Sequence, residues 1–133
     1  MMVFRANSCL WLALLCSCLV LPAFSQTPDS FNPSIGGPVY ALAVQTDGRL
    51  VLGGSFPSIG TDTRFFIGRV NSDGSIDTTF DPGTGGTSPN VYALAVQTDG
   101  KLVVGGAFTS LASQSCHRLG RPNSDGSFDT ARS

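Results

Sequence analysis

Apolar residues come along this chain in short bursts, each closed by Asp-Gly or Gly-Gly. From Val39 to Gln45 (VYALAVQ) nearly every position is apolar, so a strand here has two apolar faces: Val39, Ala41 and Ala43 on one, Tyr40, Leu42 and Val44 on the other. Such a strand is expected to be covered on both sides. A second run, Leu50–Gly54, follows Thr46-Asp47-Gly48; a third, Phe65–Asn71, and a fourth, Ser75–Phe80, flank Ser72-Asp73-Gly74. Asp-Gly is a hairpin signal because both central residues of a two-residue turn must accept positive φ. The fourth run alternates, with Ile76, Thr78 and Phe80 on one face and Ser75, Asp77 and Thr79 on the other, which predicts an outer strand with one wet side.

The first burst returns letter for letter at Val91–Gln97, an offset of 52 residues, and 25 of the 43 positions from there to the end are identical. A fixed period of this size marks a repeat architecture. The prediction is all-β: tandem four-stranded antiparallel blades of β-propeller type, about 1.8 repeats of 52 residues, with a complete blade at 39–90 and a partial one at 91–133. Gly53-Gly54 fits either the crowded inner end of a blade or a bulge ending the second strand. The second copy departs from the first at Arg121-Pro122-Asn123, where Arg69-Val70-Asn71 stands in the first, and a strand proline removes a ladder donor. It stops at Thr130-Ala131-Arg132-Ser133, which reads as an interrupted frame. The segment 26–38 carries Ser30-Phe31-Asn32-Pro33 and Gly36-Gly37, resembling Thr79-Phe80-Asp81-Pro82 and Gly85-Gly86, the piece the second copy lacks. It is therefore expected to resemble the end of a repeat and to complete the second copy's sheet, in a longer parent or across subunits.

Ahead of the repeats, one basic residue in Met1–Arg5, an apolar run Leu10–Leu21 broken only by Ser17, and Ala23-Phe24-Ser25 give the layout of a secretory signal peptide over 1–25. The run falls short of the roughly 20 residues that span a bilayer. Leu15-Cys16-Ser17-Cys18 also admits a lipoprotein signal. Export to the cell surface or beyond is the expectation.

Composition then changes the picture in two ways. Without the signal, Cys116 is the only thiol, so an internal disulfide is excluded and stability must come from strand pairing and burial. Seven basic residues then face nine aspartates, which leaves no basic patch for nucleic acid or anionic lipid.

The runs VYALAVQTDGRLVLGGSF and RVNSDGSIDTTFDPG resemble the delta-60 repeat family of secreted bacterial proteins. That resemblance implies a β-propeller and a non-catalytic repeat array, and brings no active site with it.

Candidate chemistry is sparse. Asn71-x-Asp73-Gly74-x-Ile76-Asp77, repeated at Asn123, Asp125, Gly126, Phe128 and Asp129, resembles the middle of a calcium loop, but Arg69 and Phe80 stand where acids are needed. A hairpin turn with Arg69 paired to a nearby aspartate is the better reading. Ser115-Cys116-His117 suggests a nucleophile and base, yet adjacent residues of an extended chain point apart, and the first copy has Thr63-Arg64-Phe65 there. His117 is the only histidine, which leaves a His-based metal site without a second ligand of its kind. No catalytic, cofactor or metal residues are therefore assigned, and a hydrolase on a propeller face is set aside. The function expected is an exported structural or binding module that self-associates or packs with other blades, with Phe65 and Phe66 as the only aromatics for a binding face. The alternative is a truncated piece of a larger array with no function of its own.

Overall fold

The structure, a computed structural model, describes residues 30–131, so the predicted signal at 1–25 and the final residues 132–133 lie outside the described residues. The first repeat forms β1 (Val39–Val44), β2 (Leu50–Gly54), β3 (Ser58–Ile59), β4 (Asp62–Thr63) and β5 (Ile67–Val70). A short link strand, β6 (Thr84–Gly85), leads to the second repeat: β7 (Val91–Val96), β8 (Leu102–Gly106), β9 (Ser110–Leu111), β10 (Gln114–Ser115) and β11 (Leu119–Gly120). Each repeat builds one antiparallel sheet, in order β1-β2-β5 and β7-β8-β11.

The hairpin turns fall at the expected Asp-Gly sites but differ from the expectation that both residues take positive φ. Gly48 alone takes positive φ (89°), donating its amide to Gln45 O at 2.9 Å, while Asp47 uses its carboxylate to accept the Arg49 amide at 3.0 Å. This is a longer loop ending in a left-handed glycine, where aspartate acts as an acceptor rather than by accepting strain. The same arrangement recurs at Asp73-Gly74, Asp99-Gly100 and Asp125-Gly126.

The predicted fourth strand is corrected. Ser75–Phe80 pairs with the sheet only through one bridge, Val70 to Ile76. The reason is Asp77, whose Oδ1 accepts from the Thr79 amide at 3.0 Å and its hydroxyl at 2.6 Å, turning the chain so that Phe80 leaves the sheet and enters the core. A two-strand hairpin, β3-β4, instead forms in the loop that carried no prediction, and its counterpart β9-β10 is extended by β6. Ile35 bridges to Ile59 as Thr84 pairs with Leu111, so residues 31–38 of the N-terminal segment dock on the repeat that follows them, as the first repeat's own end docks on the second. Pro122 is accommodated at the second sheet's end: β11 spans two residues against four in β5, while the Pro122 carbonyl still accepts the Leu102 amide at 3.0 Å.

Strand alternation gives each sheet two working faces, here called leading and trailing. In the first repeat Leu42, Val44, Leu50, Leu52 and Val70 lie on the leading face, and Ala41, Ala43, Val51, Gly53, Ile67 and Arg69 on the trailing face. The main core forms where Val51, Ile67 and Phe80 of the first repeat meet Val91, Leu102, Val104, Phe108 and Leu111 of the second, with Leu94 and Val96 against them. The trailing face of one blade thus seats the leading face of the next. Of the two roles proposed for Gly53-Gly54 the crowded one is realised, since a side chain at Gly53 would collide with Val91; the register shift lies opposite them, in β1 between Val39 and Ala41, rather than in the second strand. The expectation that both faces of the first strand are covered fails at the leading face, where Leu42 is 56% and Val44 59% exposed.

Candidate functional site

One buried cation joins the two blades. Arg69 stands on β5 and points into the trailing face, where its Nε donates to Asp77 Oδ2 at 2.9 Å and one terminal nitrogen to Gln45 Oε1 at 3.0 Å. The same nitrogen donates across the interface to the Ser124 carbonyl, and the guanidinium lies 4.4 Å over the Phe80 ring. Burial by itself pushes the Asp77 carboxyl up, but the Thr79 hydroxyl and amide, with the Arg69 guanidinium, hold it below the usual range. The pairing of Arg69 with a nearby aspartate was legible in the sequence. Its hold on the next blade was not, because Ser124 acts through its backbone carbonyl.

The same constellation recurs on the second repeat with its outer side open. Arg121 donates to Asp129 Oδ2 at 2.7 Å, and Lys101 stands 3.3 Å from the same oxygen. The Ala131 amide, with Lys101 and Arg121, holds the Asp129 carboxyl low. The Arg121 side chain is 41% exposed against 4% for Arg69, and Gln97 Oε1, the counterpart of the Gln45 acceptor, is buried without a hydrogen-bond partner. A cleft of about 610 Å³ opens over this trailing face, walled by Gln97, Val103, Cys116, Leu119, Arg121 and Phe128 among others.

Ser115 and Cys116 reach this cleft, but His117 is not among the residues lining it. Burial pushes the Cys116 thiol up, the opposite of what activates a cysteine nucleophile. In the calcium-like segment Asp73 Oδ1 is taken by the Ser75 amide and hydroxyl, at 2.9 and 2.6 Å, and Asp77 by Arg69. The Ser75 contacts hold the Asp73 carboxyl low. Among the described residues no group of three or more His, Cys, Asp or Glu side chains is placed to hold a metal.

Aromatic exposure differs from expectation. Phe65 is 51% exposed, but Phe66 packs against the main core. The larger aromatic surface is Tyr40 and Tyr92, 50% and 54% exposed, with ring centroids 5.6 Å apart. They hold the same place in the two repeats, and each sits in the register shift that begins its strand, a device that re-aims a side chain. The signal was present in the sequence, a tyrosine recurring at the second position of both bursts. It was masked by reading that strand as buried on both faces.

Two like blades stacked trailing face to leading face and joined by the Arg69-Asp77-Gln45 cluster, with the Arg-Asp pair recurring at Arg121 and Asp129, define a repeat protein of the β-propeller class. The model of the family described as "Domain of unknown function (DUF5122) beta-propeller" matches residues 45–80 and 97–131, just over half of the chain, and the chain belongs to that family. No curated protein and no solved structure matches it.

Proposed function

We propose that the chain is an exported repeat module of the delta-60 kind, working without catalysis as a structural or binding element at the cell surface or outside the cell. The observation that carries the binding role is the Tyr40–Tyr92 pair, a half-exposed aromatic stripe built from the same position of each blade. Tyrosine offers large apolar area with a polar tip at small entropic cost, which suits it to binding surfaces. Export rests on the layout of residues 1–25.

Both halves of the reading are tested by expressing the full chain in a bacterial host and mapping its location and N-terminus, then probing the secreted product on glycan and peptide arrays. A product outside the cytoplasm beginning at Gln26, with array binding that Tyr40→Ala and Tyr92→Ala remove without changing the circular dichroism, is the expected result. An unprocessed cytoplasmic chain overturns export. Array binding indifferent to both substitutions overturns the tyrosine surface.

A further inference from the structure

We propose that the open trailing face of the second repeat is a docking site for the leading face of the first repeat of a second copy of this chain, making a head-to-tail assembly. This deepens the module reading by naming a partner, and it depends on neither export nor the tyrosine surface.

The docking site continues an interface already present within the chain. Inside the chain, Val51, Gly53 and Ile67 seat Leu94, Val96, Leu102 and Val104, and Arg69 beside them bonds the Ser124 carbonyl. The residues at the same positions one repeat later are Val103, Gly105, Leu119 and Arg121, and one repeat earlier Leu42, Val44, Leu50 and Leu52. The seating set thus reappears with only Ile67 changed to leucine. The seated set reappears with only Val104 changed to leucine. Each set has uncovered members where the chain is alone: Leu119 is 64% exposed, Leu42 56% and Val44 59%, while Leu52 is already buried in the first repeat's own cluster. A side chain at Gly53 would strike the next blade, whereas one at Gly105 meets nothing nearer than Ala93 Cβ at 3.7 Å.

Polar groups at the open face point the same way. Arg69 is completed by the Ser124 carbonyl from the following repeat, and the matching residue of an arriving copy is Ser72. Docking therefore supplies an acceptor to Arg121 in the setting where Arg69 also bonds Gln45, and so a route to a partner for the buried Gln97 Oε1. Phe80, the ring under Arg69, packs against Gly126 of the repeat that follows it. Phe31 packs in the same way against Gly74 of its following repeat. An arriving copy thus carries Phe31 to Arg121 as Phe80 stands to Arg69, and the sequence has Arg132 at the position where Phe80 falls. The interface is heterologous, so it extends or closes into a ring rather than pairing two copies symmetrically.

That asymmetry gives the test, run on the full chain purified from an exporting host. Leu42→Arg blocks the leading face and Leu119→Arg the trailing face; both positions are exposed, so circular dichroism should match the parent. Each variant alone is expected to be monomeric by light scattering. An equimolar mixture is expected to give a one-to-one dimer through the two intact faces, with Cys116 of the Leu42→Arg chain alkylated several-fold more slowly than before mixing. A monomeric parent with native circular dichroism overturns the proposal and gives the face to a repeat of another protein. Association that survives in both single variants, or a mixture that stays monomeric, overturns it equally.

Discussion

Arg69 and Arg121 occupy one repeat position and meet different surroundings, which makes them a comparison inside a single molecule. Arg69 is 4% exposed and satisfies Asp77, Gln45 and Ser124 together; removing it strips the buried Asp77 carboxylate of its nearest cation, leaving Arg49 at 3.6 Å, and takes away the bond to the second blade. Breaking a buried ion pair from one side costs about 3–5 kcal/mol. Arg69→Ala is therefore expected to lower the unfolding free energy by about 3 kcal/mol in urea titrations. Arg121→Ala, whose side chain is 41% exposed, should show only a small fraction of that loss in a monomeric background. Equal losses at the two sites would mean that Arg69 draws nothing from the second blade. Much of this scale was legible in the sequence: the aspartates of the Asp-Gly turns and the pairing of Arg69 with a nearby aspartate follow from residue type and spacing, and the structure identifies that aspartate as Asp77. Ser124 did not, since any residue offers a carbonyl.

At the scale of elements, strands β1, β2 and β5 and their copies follow from the apolar bursts, and the four turns from their glycines. The fourth strand was misread because the Ile76-Thr78-Phe80 alternation fits a strand as well as it fits a turn that delivers Phe80 to the core; the Asp77 side chain decides between them. The β3-β4 hairpin escaped notice because two-residue strands carry too few positions for a period to show. The stacking of elements also predicts a contrast between equivalent glycines. Gly53→Ala forces a methyl into Val91 and should cost about 1–3 kcal/mol, the range for overpacking a filled core. Gly105→Ala has room and should leave thermal stability of the separated chain within about 0.5 kcal/mol while weakening association. Matching losses of stability at both positions would show that the second trailing face is not open.

For the whole molecule, the repeat period gave the propeller class, and the family match agrees with it. The faces left open at either end were not legible, because a sequence shows that a strand is apolar on both sides without showing which side its neighbours cover. Exposed apolar faces of this kind invite association. If copies dock as proposed, two described blades per chain need two to four copies to close a propeller of about 4–8 blades. The measurement that bears most directly on this account is the absolute mass of the full chain by light scattering across a concentration series, with far-ultraviolet circular dichroism on the same samples. A β spectrum with a mass of two to four chains is the predicted result. A β spectrum on a particle of one chain, unchanged at every concentration, would contradict it.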